Sequence, residues 1–282
     1  MSLPARPIIG TVSGWSVAAN QTRFFVVGFP RSGTTLLSVL LDRHSRLCVP
    51  PETAFFDEVA PRLRRPSEAA LSRALGSWSR LSELTLEPEA IRKRLPENWQ
   101  PGDVLAAILD LYALRRGKTR CGEKTPQHLR HVPTILQLFK NARIVCLLRD
   151  GRDAALSLTA MPWGPGLRSA AGLWRQYVQL MEEYERRYPA QFRVLRYEDL
   201  LGDPVRQLSI VMDDLGESIE PAQLSTNTPS HVVLPRSMPW KGDALGPIDR
   251  SRIASRRLGA AASELVRLER WLGADLRRCG YD

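Results

Sequence analysis

Two hydrophobic periods alternate along the chain. FFVVGF (Phe24 to Phe29) is an unbroken apolar, β-branched run stopped by a proline, the pattern of a strand buried on both faces of a parallel sheet. From Thr34 to His44, Leu36, Leu37, Leu40 and Leu41 recur at helical spacing. RIVCLL (Arg143 to Leu148) is a second buried run, followed by the turn Arg149-Asp150-Gly151 and a helix expected from about Asp153. FRVLRYEDL (Phe192 to Leu200) reads as a third strand, with a helix after it up to Gly216. Leu173, Tyr177, Leu180 and Tyr184 stand at i, i+4, i+7 and i+11, a core-facing stripe. The charge- and proline-rich stretch from Asp57 to Asn98 predicts helices at the rim. Strands alternating with helices predict a single α/β domain with a central, mostly parallel sheet flanked by helices. Its ligands would bind at the carboxyl ends of the strands.

Composition narrows the class. With 282 residues and 43% hydrophobic content, the chain can bury a sizeable core. No run reaches the roughly 18 to 20 apolar residues of a membrane span. Residues 1–22 lack the charged-then-apolar order of a signal peptide and read as a lead-in to a domain over 23–282. The four cysteines are scattered without a C-x-x-C pair, which predicts free thiols and a cytoplasmic setting. The net charge of +10 comes largely from pairs such as Arg64-Arg65 and Arg186-Arg187 in helical segments, the signature of solvated faces. No basic-aromatic motif accompanies them, so nucleic acid is not an expected partner; the positive field would still attract a polyanionic small molecule.

Candidate chemistry begins at GFPRSGTT (Gly28 to Thr35). The spacing is that of a phosphate-cradling P-loop, with Thr34 where the lysine of G-x-x-x-x-G-K-[ST] belongs. A glycine turn feeding a helix presents unpaired N–H groups and the positive end of the helix dipole to an anion, lysine or not. Arg31 adds charge and Thr34 and Thr35 add hydroxyls. Without the lysine and without an acidic magnesium ligand after a later strand, the loop is poorly equipped for γ-phosphate transfer.

FVVGFPRSGTTLL resembles the 5′-phosphosulfate loop of sulfotransferases, which use 3′-phosphoadenosine 5′-phosphosulfate (PAPS). IVCLLRDGRDAALSL resembles their 3′-phosphate segment, with Arg149 and Ser157 at the matching positions. Within that superfamily the motifs are most similar to the tyrosylprotein sulfotransferase branch and its bacterial relatives. The resemblance implies a P-loop-like nucleotide-binding fold over residues 23–282, PAPS as donor, 3′,5′-adenosine bisphosphate (PAP) as product, and no metal. It also implies that Arg31, Ser32, Gly33, Thr34 and Thr35 hold the 5′ end. CVPPETAFF resembles the branch's Glu-Thr stretch, which makes Glu52 the implied catalytic base; CGEKTPQHL makes Lys124 the implied contact to the transferring group. RYEDL implies a cofactor contact for Tyr197, and Pro239-Trp240-Lys241 resembles a loop that closes over the nucleotide, a lid over residues 226–247. Ala54 stands where the tyrosylprotein enzymes have an arginine, which departs from their acidic-peptide recognition.

Each residue also has a plainer reading. Glu52 could be an exposed carboxylate after two prolines, and Lys124 a surface partner of Glu123. Thr125-Pro126 could simply start a helix, and Arg152 reads as a solvated helix residue. His44, His128, His131 and His231 read as structural or surface groups. The alternatives to a sulfotransferase are a magnesium-dependent small-molecule kinase and a non-catalytic nucleotide-binding protein. The acceptor hydroxyl could belong to a carbohydrate, a phenol, a peptide tyrosine or a lipid-like alcohol.

Overall fold

The computed structural model describes residues 22–225 and 244–281. Its centre is a four-stranded parallel sheet in the order β4 (Glu123–Lys124), β1 (Phe24–Gly28), β5 (Arg143–Leu148), β6 (Phe192–Arg196). β1 pairs with β5 along its whole length, from Phe24 opposite Arg143 to Gly28 opposite Leu147. Because side chains alternate across a strand, Phe25, Val27, Ile144 and Cys146 enter one core, while Phe24, Val26, Val145 and Leu147 enter the other. The first is covered by the helices Pro101–Arg115, Leu167–Arg187 and Ala262–Arg278, the second by Thr34–Asp42 and Pro204–Leu215. Fully burying a phenylalanine such as Phe24 or Phe25 contributes about 1.5–3 kcal/mol, which makes β1 the axis of the fold.

Three short strands, β4 among them, were not apparent from the pattern. β2 (Leu47–Cys48) pairs in parallel with β3 (Arg120–Cys121), which is separated from β4 only by Gly122. A Cβ on Gly122 would fall 2.0 Å from the Phe24 ring, so only glycine lets the chain cross the core aromatic as it passes from β3 to β4.

Three expectations change. The third strand stops at Arg196, and Tyr197 opens a helix to Gly202 because Glu198 and Asp199 supply an acidic first turn. The helix after β5 begins at Gly151, two residues early, because the Asp150 side chain accepts from Arg152 N–H at 2.9 Å and caps it. The stretch 57–98 is not merely a rim: Leu71, Leu75, Trp78, Leu81, Leu84 and Ile91 all lie in the larger core. Among the described residues, no helix is long and apolar enough to cross a membrane, and all four cysteines are free.

Candidate active site

The strand order brings the marked residues to one end of the sheet. Lys124 ends β4, the loop Phe29–Gly33 follows β1, Arg149 follows β5 and Tyr197 follows β6. The loop therefore lies between two flanks, Lys124 on one side and Arg149 on the other.

The loop turns through left-handed backbone at Arg31 (φ 73°) and Gly33 (φ 93°). A Cβ on Gly33 would sit 2.3 Å from the Tyr197 ring, so conformation and packing both demand glycine. Gly33 is also the N-cap of the helix Thr34–Asp42, where no side chain caps the first amides; such a terminus suits an anion. Ser32 is fully buried and its Oγ has no hydrogen-bond partner among the described residues.

A cleft of about 490 Å³ opens over this loop, lined by Arg31, Gly33, Thr34, Thr35, Arg149, Ser157 and Tyr197. Arg31 Nε donates to Ser157 Oγ at 3.3 Å, and Arg149 Nη1 donates to the Arg31 carbonyl at 3.1 Å. The Arg149 guanidinium also stacks 4.7 Å above the Tyr197 ring, and Trp174 Nε1 donates to its carbonyl at 3.1 Å. Burial pushes the Tyr197 phenol up, against the lowering effect of Arg149, so the phenol remains a protonated donor at neutral pH.

The far wall is formed by residues 244–256, including Ser251, Arg252, Ser255 and Arg256. Ala244 and Pro247 belong to the end of the lid expected over residues 226–247; Ser251, Arg252, Ser255 and Arg256 lie beyond it, and the density of arginine from Arg250 to Arg257 is the sequence signal for them. Asp153 anchors this wall by accepting from the backbone N–H of Arg256 at 2.9 Å and of Arg257 at 3.2 Å. Arg152 is not solvated. It is buried, with Nη2 2.8 Å from Asp150 and Nη1 3.1 Å from Glu269, because its helix packs under the C-terminal one. Trp240, Lys241, His231 and the stretch 226–243 lie outside the described residues.

On the other flank, Lys124 Nζ donates to Glu52 Oε1 at 2.6 Å; the lysine side chain is 3% exposed and that of Glu52 14%. Lys124 is thus paired across the fold with Glu52, and Glu123 points elsewhere. Arg80 Nη1 donates to the Glu52 carbonyl at 3.0 Å. Glu52 and Lys124 do not line the nucleotide-sized cleft; they stand beside the strand that feeds its loop. His44 bonds the Ser218 carbonyl and His131 bonds Asp57, both structural contacts. Among the described residues, no three His, Cys, Asp or Glu side chains gather as a metal cluster.

A glycine loop that starts a helix, Arg149 with Ser157, and the Glu52–Lys124 pair thus stand along one end of a parallel α/β sheet. The chain belongs to the Sulfotransferase family, whose model matches residues 23–221. It is similar to the protein-tyrosine sulfotransferase 1 of Mus musculus, 30% identical over 175 residues, covering 56% of this chain and 42% of that protein. The chain spans only 23% to 51% of the lengths of the curated relatives it matches. Its fold is shared with the sulfotransferase domain from the Synechococcus PCC 7002 olefin synthase, at TM-score 0.62 and 23% identity over 96% of this chain and 99% of that one. It is shared also with mouse sulfotransferase SULT7A1 complexed with PAP, at TM-score 0.53 and 14% identity over 92% and 85% of the two chains.

Proposed function

We propose that this protein moves a sulfuryl group from PAPS to an acceptor hydroxyl. The observation that carries the reading is the in-line order of the site: Arg149 and Ser157, then the phosphate loop, then the Glu52–Lys124 pair. The donor fits the residues present. The uncapped helix start and the orphaned Ser32 hydroxyl suit a 5′-phosphoryl oxygen, and the Arg149 fork suits a 3′-phosphate dianion. The bound donor supplies an activated sulfuryl group whose departure leaves a phosphate oxygen.

Arg31, the loop amides and Lys124 stabilise the negative charge that gathers at that oxygen. Glu52 removes the acceptor's proton as its oxygen attacks. A carboxylate has about four lone-pair sites, so the bond to Lys124 does not exhaust its acceptor capacity. As in phosphoryl transfer, the protein mainly positions reactants and screens charge. Thr34 in place of the P-loop lysine counts against a kinase, and a Glu52 bonded to the buried Lys124 counts against a non-catalytic binder.

Thermal denaturation tests the donor. PAP is expected to raise Tm by more than AMP or ADP, since a ligand stabilises in proportion to its affinity for the native state. Equal shifts with PAP and AMP would remove the 3′-phosphate assignment. Labelled PAPS should transfer its sulfuryl group in the presence of EDTA, whereas labelled ATP turned over only with magnesium would establish the kinase. Acceptors are to be found by mass shift across phenols, sugars, tyrosine peptides and alkyl alcohols.

Gly33→Ala should remove most of the PAP response. The methyl group must displace the Tyr197 ring and hold a left-handed backbone, a strain on the order of 1–3 kcal/mol. A PAP-induced shift as large as that of the unaltered protein would show that the loop geometry does not bind the nucleotide.

A further inference from the structure

Behind the Glu52–Lys124 pair lies a second charged group that the proposed reaction does not use. Glu123 precedes Lys124 in β4, so their side chains leave opposite faces of the strand. Its carboxylate is fully buried, and the backbone N–H groups of residues 53 to 56 reach it directly or through one side chain. Thr53 N–H donates to Glu123 Oε1 directly, at 3.4 Å. Ala54 N–H donates to Thr125 Oγ1 at 3.0 Å, and that hydroxyl donates to Glu123 at 2.6 Å. Phe55 N–H donates to Thr53 Oγ1 at 3.2 Å, and that hydroxyl donates to Glu123 at 2.8 Å. Phe56 N–H donates to His128 Nε2 at 3.3 Å, which leaves Nδ1 to donate to Glu123 Oε2 at 2.8 Å. Four consecutive amides, 53 to 56, are thus tied to one carboxylate.

Resting on the sulfotransferase reading, we propose that Glu123 is a positioning residue: it fixes the backbone that carries Glu52 while its neighbour Lys124 holds the Glu52 carboxylate. Two further observations support it. Ala54, inside the tied segment, keeps a left-handed backbone (φ 47°), which a residue with a Cβ retains only where its surroundings over-determine it. A buried carboxylate is also an expensive way to satisfy the start of the short helix Phe55–Glu58, for which a local Ser or Asp cap would suffice. Burial tends to raise the Glu123 pKa, but the hydrogen bonds from His128, Thr125 and Thr53 outweigh it, so the anion is the form held. A base carried on such a frame meets the acceptor at one distance, and a displacement of about 1 Å can cost on the order of a hundredfold in rate.

The test is a double-mutant cycle with Glu52→Gln. Glu123→Gln and Thr53→Val are made singly and in the Glu52→Gln background, then assayed with labelled PAPS against 2-naphthol and 4-nitrophenol. Each single variant should lower kcat by about tenfold to a hundredfold, the usual effect of a supporting outer partner. The KM for PAPS and the PAP-induced Tm shift should stay within about twofold of the unaltered protein, because the nucleotide cleft lies on the other side of β1. Thr53→Ser, which keeps the hydroxyl, should restore the rate. In the Glu52→Gln background neither change should cost more, because a residue acting through Glu52 has nothing left to position. Losses that multiply in the double variants, or a PAPS KM rising in step with the fall in kcat, would make the network structural only. Should Glu123→Gln fail to fold, Thr53→Val decides alone. An unaltered protein that neither prefers PAP to AMP nor consumes PAPS would instead overturn the sulfotransferase reading.

Discussion

Glu52→Gln is expected to lower turnover by about 10²- to 10⁴-fold, the range of a positioned general base, while PAP binding stays intact. An alcohol or phenol hydroxyl attacks sulfur slowly unless its proton leaves as the new bond forms. Glu52 is the carboxylate bonded to Lys124 at 2.6 Å, at the end of the strand next to the one that feeds the phosphate loop. Glutamine keeps the size and an oxygen for Lys124, so the change removes basicity with little repacking. Some stability is lost, since the lysine side chain is 3% exposed and its charge is no longer balanced. Thermal denaturation with PAP therefore accompanies the kinetics, to separate lost chemistry from lost fold. The penalty should be smaller for 4-nitrophenol than for phenol, and largest for an alkyl alcohol, because an acidic acceptor needs less help. Turnover near the original rate in a variant that binds PAP normally would place the base elsewhere.

The parts legible in the sequence were those with long, regular signals. β1 and β5 read as buried strands because their runs are five and six residues long, and the glycine loop between β1 and its helix has a fixed spacing. β2, β3 and β4 have two residues each, too short for any period, and β4 is the charged pair Glu123-Lys124. Motif resemblance singled out Lys124 and Glu52, but only tertiary contact shows that they touch. The network on Glu123 was invisible for the same reason: Thr53, Thr125 and His128 come from two segments about 70 residues apart, and each has an ordinary local reading. Arg152 was misjudged because helical charge patterns assume a solvated face, and its partner Glu269 arrives from the distant C-terminal helix.

Arg149→Ala is expected to lower affinity for PAP by roughly 10- to 150-fold, the equivalent of about 1.5–3 kcal/mol for charge-assisted hydrogen bonds, and to leave AMP binding nearly unchanged. The asymmetry follows from the ligands: both carry a 5′-phosphate for the loop, and only PAP carries a 3′-phosphate. The guanidinium is already held before any ligand arrives. Nη1 bonds the Arg31 carbonyl at 3.1 Å, Nη2 lies 3.8 Å from Asp153, and the plane stacks 4.7 Å from the Tyr197 ring. A pre-organised fork loses little side-chain freedom on binding, so most of its interaction energy appears as affinity. Arg149→Lys restores the charge but neither the fork nor the stacking, and should recover only part of the PAP affinity. Because Arg149 also braces the loop through Arg31, a purely structural role predicts that PAP and AMP weaken together. Calorimetric titration of both nucleotides against all three proteins gives the ratio that matters. A PAP-to-AMP ratio unchanged by Arg149→Ala would move the 3′-phosphate away from Arg149.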